Sequence, residues 1–329
     1  MMVQAPTSYH VPVLLPEAVA LLLAAPAGPI VDGTLGGGGH TAALVDASNG
    51  ARVIIGLDQD PDARAASAAR FADHPHRDAI RIVAGNFRDV RALLAEHLGP
   101  DARVAGVLLD LGVSSYQLDA AERGFGIRHL GARLDMRMTP DSSRPTAREL
   151  IATATTEELA RILHEYGEVP ASRTMASRLQ EAAARGRLET IGELVAVVDT
   201  MRAAFRRLHV HPATLVAQAL RIAVNDELGA LDEALADIPH VLMPGGRLVV
   251  MSYHSLEDRR VKTAFLRGAN GPERPARLPP PSDWRPTWEI VTHKAVTASE
   301  KEIAANPRAR SAKLRAAART HFPPEGGAR

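Results

Sequence analysis

Ile30-Val31-Asp32-Gly33-Thr34-Leu35-Gly36-Gly37-Gly38-Gly39-His40 is the stretch that decides the fold. Two β-branched residues lead into an acid and a glycine cluster, and a helical pattern follows from about Thr41. A buried strand that ends in a glycine turn and restarts as a helix opens a βαβ unit. The rhythm continues downstream. Arg52-Val53-Ile54-Ile55-Gly56-Leu57 is a short apolar strand ending on Asp58. Asp60-Pro61 then supplies an N-cap and a first-turn proline for a helix through Phe71. Ile80-Arg81-Ile82-Val83 is a third strand ending at Gly85-Asn86-Phe87, Asp89 to Leu98 is helical, and Val104 to Leu109 is a fourth strand ending on Asp110. Apolar strands alternating with helices predict an α/β fold with a parallel, doubly wound sheet.

The rhythm breaks after Gly112. From about Ser115 to Pro212 the pattern is helical, with Thr155-x-x-Glu158 and Thr190-x-x-Glu193 as capping boxes ahead of apolar stripes. Those stripes read as core. Sheet rhythm returns with a helix through Glu227–Ala236, a turn at Pro244-Gly245-Gly246 and a fifth strand, Arg247 to Met251. Residues 268–286 read as an irregular loop, and Trp288–Val296 with Ser311–Thr320 as a terminal antiparallel hairpin. The predicted organisation is a sheet domain over 10–114 and 213–322, a helical insertion over 115–212, and a frayed tail at 323–329.

Composition narrows the chemistry. The 329 residues carry 39 basic and 38 acidic side chains, a net charge of +1, so no global field marks a polyanion partner. The chain has no cysteine, which excludes disulfides, thiolate metal sites and a cysteine nucleophile. Arginine far outnumbers lysine, a bias that fits GC-rich coding better than RNA binding. No apolar run approaches the ~18 residues of a membrane span. Ala18 to Ala27 imitates a leader's apolar core, but residues 1–16 hold no Lys or Arg, and Pro16-Glu17 reads as a helix start. A cytoplasmic protein without a membrane partner is expected.

In an open α/β sheet, ligands bind at the carboxyl ends of the strands. The four polar ends here are Asp32 to His40, Asp58, Asn86-Phe87 and Asp110. Asp58 stands where a carboxylate can accept both ribose hydroxyls of a bound adenosine. The G-x-G-x-x-G dinucleotide fingerprint finds no match between Asp32 and Thr41. An acid followed by a small residue and glycines resembles instead the S-adenosylmethionine motif of Rossmann-like methyltransferases. Asp58 and Asp110 at the neighbouring strand ends favour a methyltransferase over a dehydrogenase.

Longer strings sharpen the resemblance. His10-Val11-Pro12-Val13-Leu14-Leu15, Asp32 to His40, and Leu108-Leu109-Asp110-Leu111-Gly112-Val113-Ser114-Ser115 resemble the bacterial 16S rRNA cytosine-N4 methyltransferase family, the MraW or RsmH type. So do Arg123-Gly124-Phe125, Leu134-Asp135-Met136-Arg137-Met138, His211-Pro212-Ala213-Thr214, Ser252-Tyr253-His254-Ser255-Leu256-Glu257-Asp258-Arg259 and Asn306 to Ser311. The likeness runs from about residue 10 to 320. It implies a Rossmann-like methyltransferase sheet with an inserted helical substrate-recognition domain. It also implies methylation of the exocyclic N4 of a cytosine in the decoding region of 16S rRNA, within the small ribosomal subunit. Cofactor contacts carry over onto Gly38, Gly39, His40, Asp58, Phe87, Asp110 and Gln117, with Phe87 packing against the adenine. Three positions depart from the family pattern: Gly37 replaces a side chain, and Leu215 and Ala217 stand where the family usually has Arg and Phe.

Cytosine N4 is a weak nucleophile because its lone pair is delocalised into the ring, so positioning and a polar acceptor for an amino hydrogen carry the catalysis. Asp110 is the first candidate acceptor and His254 the second, against a structural role for His254. Arg308, Arg310, Lys313, Arg315 and Arg319 form one basic stretch and Arg202, Arg206 and Arg207 another, each readable as an RNA surface or as solvated charge. No metal is expected. A homodimer, a methyltransferase of DNA or protein, and a subunit-assembly factor with a vestigial cofactor pocket all remain open to the sequence.

Overall fold

A computed structural model describes residues 12–114, 117, 123–140, 142–205, 211–271 and 284–324. The chain divides into two compact units, residues 1–112 with 228–329 and residues 113–227.

The first unit holds strands β1 (Ile30–Asp32), β2 (Ile54–Asp58), β3 (Ile80–Ala84), β4 (Val104–Asp110), β5 (Leu242–Ser252), β6 (Trp288–Ile290), β7 (Val296–Thr297) and β8 (Lys313–Arg319). Its helices are α1 (Leu15–Leu23), α2 (Gly39–Ala47), α3 (Pro61–Phe71), α4 (Val90–Leu98), α10 (Glu227–Val241), α11 (Ser255–Asn270) and α12 (Glu300–Ala305). The strands form one eight-stranded sheet in the order β3-β2-β1-β4-β5-β8-β6, with β7 also on β8. β1 to β5 run parallel, whereas β8 is antiparallel to β5, β6 and β7. Successive strand residues bury on opposite faces, as the two-residue period of a strand requires. Ile30, Ile54, Leu108 and Val249 join one apolar cluster with α1 and α2. Val31, Ile55, Leu109 and Val250 join the other with α4, α10 and α11. Cover on both faces is why these strands read as unbroken apolar runs.

Pro244-Gly245-Gly246 does not end a helix-to-strand turn, as its sequence suggests. It forms an irregularity inside β5: Val104 pairs Leu242, and pairing resumes at Gly106 with Arg247. The helix before it runs on to Val241. Of the terminal hairpin, Trp288 pairs Arg319 and Ile290 pairs Ala317. Part of the expected loop (272–283) and the tail from 325 lie outside the described residues.

The second unit contains α5 (Ala147–Thr153), α6 (Thr156–Gly167), α7 (Ser172–Ala184), α8 (Ile191–Asp199) and α9 (Pro212–Asn225). Thr155/Glu158 and Thr190/Glu193 form the expected capping boxes, and Thr146/Glu149 forms a further one. The unit ends at Glu227 rather than 212, because α9 buries Ala213, Val216, Ala217, Leu220 and Val224 in the helical core. Met136, fully buried, is held at a left-handed φ of 63°, a conformation that costs a side-chain-bearing residue about 1–2 kcal/mol. Asn225 compensates. Its Oδ1 accepts the Met138 N–H at 2.7 Å, and its Nδ2 donates to Met136 O at 2.8 Å and Arg221 O at 2.9 Å.

Replacing Asn225 by Ala leaves the Met136 carbonyl and the Met138 amide without that partner. The expected cost is about 2–3 kcal/mol, read as a lowered urea midpoint at unchanged slope. Wild-type stability in Asn225→Ala would remove the clamp from the account of this loop.

Candidate active site

The chain leaves β1 toward β2 and β3, then crosses back to place β4 on the other side of β1. That reversal opens a crevice at the carboxyl ends of β1 and β4. Asp32 closes β1 and Asp110 closes β4. Asp32 is only 1% exposed. Its Oδ2 accepts from the Thr41 hydroxyl at 2.7 Å and its Oδ1 from Thr34 N–H at 3.3 Å. The Thr34 hydroxyl oxygen accepts the Asp110 N–H at 2.7 Å, joining the glycine loop to the end of β4. Asp110 Oδ1 accepts from the Tyr253 hydroxyl at 2.7 Å, and Oδ2 lies 3.8 Å from His40 Nδ1. His40 Nε2 meets Val13 O at 3.2 Å. A carbonyl only accepts, so Nε2 carries a hydrogen and Nδ1 faces the carboxyl.

Burial pushes the Asp32 and Asp110 carboxyls above their ordinary range, against the nearby His40 and the hydroxyls that hold them down. Burial, then the negative Asp110, pushes the Tyr253 phenol up, so it stays a donor. Asp58 has a different setting. Its Oδ2 accepts the Gly36 N–H at 2.8 Å and its Oδ1 the Asp60 N–H at 2.9 Å. Burial raises it to about 6, with those two amides opposing. Each oxygen keeps a lone pair for an incoming hydroxyl.

The loop takes its shape from glycine. Gly36 and Gly38 are left-handed, with φ of 50° and 72°. A Cβ on Gly38 would stand 2.7 Å from the Phe71 ring, and one on Gly39 would stand 2.3 Å from Pro12. Gly37 has an ordinary φ, so a side chain there would meet no penalty from backbone handedness. Phe87, half-buried at the end of β3, lies with its Cβ beside Gly33. Asn86 Nδ2 donates to Gln59 Oε1 at 3.0 Å, tying the ends of β3 and β2 together.

Thus Gly38, Gly39, His40, Asp58, Phe87 and Asp110 all fall at or just beyond the carboxyl ends of the parallel strands, at one end of the sheet. Gln117 and His254 have other local partners. Ser114 and Gln117 bond each other reciprocally: Gln117 Oε1 accepts the Ser114 N–H at 3.0 Å and Ser114 Oγ the Gln117 N–H at 3.2 Å. The His254 ring is turned to Glu257, with Nε2 3.1 Å from Oε1 in a geometry that makes no hydrogen bond. The neighbour that reaches Asp110 is Tyr253. Sequence reading missed Tyr253, Thr34 and Thr41; the alternation of a strand end, which turns adjacent residues opposite ways, is the one signal that could have separated Tyr253 from His254. Ala217 is buried in the helical core and Leu215 packs against it, so these departures from the family pattern are core positions. Among the described residues no group of His and acids is arranged for a metal, and no helix is long and apolar enough to cross a membrane.

Acids gathered at a switch point would repel a pyrophosphate and suit a cationic sulfonium. Fold and crevice together define a Rossmann-like methyltransferase that uses S-adenosylmethionine. The sequence matches the MraW methylase family over residues 7–320, and the chain belongs to that family. It is 48% identical over 311 residues to the ribosomal RNA small subunit methyltransferase H of Heliobacterium modesticaldum, covering 94% of this chain and 98% of that one. The protein of the same name from Myxococcus xanthus is 49% identical over 307 residues, covering 93% and 96%. That from Caulobacter vibrioides is 45% identical over 317 residues, covering 95% and 96%.

An ionised carboxylate accepts hydroxyl hydrogen bonds more strongly than its neutral acid, and with burial raising Asp58 to about 6 a ribose seated on it would be held best above that pH. Cofactor binding is therefore expected to weaken as pH falls from about 7 to about 5. Calorimetry with S-adenosylhomocysteine checks this. The dissociation constant rises on acidification in the wild type and stays flat in Asp58→Asn; parallel curves would separate Asp58 from the ribose.

Proposed function

We propose that this methyltransferase acts on the exocyclic N4 of a cytosine in the decoding region of 16S rRNA, in the small ribosomal subunit and in the cytoplasm. The observation that carries the reading is Asp110: a half-buried carboxylate at the switch point, held on one oxygen by Tyr253 and faced on the other by His40. Relatives named ribosomal RNA small subunit methyltransferase H supply the substrate class.

S-adenosylmethionine supplies an electrophilic methyl group on its sulfonium. Asp58 takes the ribose, Phe87 packs against the adenine, and Gly38, Gly39 and His40 bring backbone and ring close to the amino-acid end. Gln117 carries over from the resemblance as a further contact. Asp110 accepts a hydrogen of the cytosine amino group, which localises the nitrogen lone pair for in-line attack. As the new N–C bond forms, that proton leaves on Asp110, whose raised affinity for protons suits it to the task. Tyr253 and His40 hold the carboxylate before transfer. His254 is a positioning residue at most, since its ring is directed to Glu257. With no cysteine in the chain, methylation of cytosine C5 through a cysteine adduct is excluded.

Of the basic stretch on β8, Lys313 and Arg315 are paired with Asp258, at 3.3 and 2.7 Å. Arg319 donates to Pro239 O at 3.1 Å. These side chains tie β8 to α10 and α11 before they offer anything to phosphate. Arg206 and Arg207 lie outside the described residues.

Labelled S-adenosylmethionine is incubated with the protein and small subunits from a strain lacking the gene, beside naked rRNA and DNA. The expected product is N4-methylcytidine from subunits; label in DNA alone would overturn the substrate. Tyr253→Phe removes a hydrogen bond that favours ionised Asp110, so Asp110 titrates higher still. The acid limb of kcat/KM is expected to move to higher pH in this variant. An unmoved limb would detach Asp110 ionisation from the reaction.

A further inference from the structure

One face of α3 is fitted to the glycine loop residue by residue. Ser67, Arg70 and Phe71 stand at i, i+3 and i+4, so they share that face. The Ser67 hydroxyl donates to Gly36 O at 2.8 Å, and Arg70 Nη1 donates to Gly37 O at 3.2 Å. The Phe71 ring fills the space a Cβ on Gly38 would need. Consecutive loop residues thus meet consecutive positions of one helical stripe.

Ser67 is the informative member. A serine inside a helix ordinarily hydrogen-bonds back to its own helix or faces solvent. Ser67 is 0% exposed and reaches across to the loop. The peptide oxygen it holds belongs to Gly36, whose N–H donates to Asp58 Oδ2 at 2.8 Å. Gly36 is also left-handed, so both of its peptide groups need fixing from outside. Leu35 N–H, bound to Leu57 O at 3.0 Å, fixes the residue before it. The hydroxyl, the Gly36 backbone and the carboxylate form one chain running from the core of α3 to the end of β2.

We infer that Ser67 is a positioning residue for the methyl donor, acting through the Gly36 backbone to aim the Asp58 carboxylate at the ribose. This rests on the reading of Asp58 as the ribose acceptor. Ser67 touches neither cofactor nor substrate in this role. It keeps the Gly36 N–H on one Asp58 oxygen, so the lone pairs left over point out of the loop. Without the hydroxyl, the Gly36–Gly37 peptide is free to turn; the Leu35–Gly36 peptide that carries the donor is still held by Gly38 N–H on Leu35 O at 2.7 Å, but the Gly36 backbone angles that aim its N–H at Asp58 are no longer fixed from the Ser67 side. The effect belongs to donor binding, not to the transfer step.

The test is a double-mutant cycle on the full-length protein, titrated with S-adenosylhomocysteine, with Ser67→Ala, Asp58→Asn and the double variant. Ser67→Ala is expected to weaken binding by about five- to tenfold, and to raise KM for S-adenosylmethionine alike with kcat altered by less than about twofold. In the Asp58→Asn background the same change should weaken binding by less than about twofold. Arg70→Ala, an exposed change that spares the core, is expected to give a smaller loss of the same kind. Equal losses in both backgrounds, or wild-type binding by Ser67→Ala, overturn the inference while leaving the ribose role of Asp58 standing. Wild-type binding by Asp58→Asn instead overturns the ribose role and the inference with it. Thermal melting accompanies each titration, and a lowered midpoint with unchanged affinity would make Ser67 structural only.

Discussion

Two carboxylates at the ends of adjacent parallel strands, Asp32 buried and Asp110 half-buried, are a costly arrangement, and their surroundings answer that cost. A buried charge is tolerated only with partners that hydrogen-bond it or oppose it. Asp32 has the Thr41 hydroxyl and the Thr34 amide. Asp110 has the Tyr253 hydroxyl, with His40 facing its other oxygen. These partners come from the glycine loop, the first turn of α2 and the end of β5. The crevice therefore exists only once β1, β4 and β5 have paired. Asp32 is held by residues two and nine positions on in the chain, whereas nothing local in the sequence holds Asp110, whose partners are Tyr253 and His40.

The same constraint chooses the ligand. A phosphate-binding loop leaves its amides free for an anion. Here the Gly36 amide is already committed to Asp58, and the side chains converging on the switch point are acids. A cationic methyl donor matches that field. The acids then divide their labour through their partners. Asp58, held by two amides, retains acceptor capacity for hydroxyls, while Asp110, held by the Tyr253 hydroxyl with the His40 imidazole facing its other oxygen, is suited to holding a proton.

Much of this was legible before any coordinates. The run from Ile30 to His40 and the acids that end the next strands located the crevice, because strand ends and glycine turns are written in short contiguous patterns. The capping boxes at Thr155 and Thr190 were equally plain, since a box needs only four residues. What escaped was set by contacts distant in sequence. Asp110 meets Tyr253 across the sheet, and the choice of Tyr253 over His254 depends on how β5 ends. The second border of the helical unit moved past Pro212 because tertiary packing, not helix periodicity, decides which core α9 joins. Pro244-Gly245-Gly246 looked like a turn because glycine and proline mark turns and bulges alike.

The central claim is that the crevice at the ends of β1, β2 and β4 seats the methyl donor with its ribose on Asp58 and its reactive end beside Asp110. A crystal structure of the protein with S-adenosylhomocysteine tests it most directly. The expected result is ribose hydroxyls within hydrogen-bond distance of the Asp58 carboxylate, adenine on Phe87 and the sulfur facing Asp110. Density for the ligand away from these strand ends, or a ribose that leaves Asp58 untouched, would contradict the account.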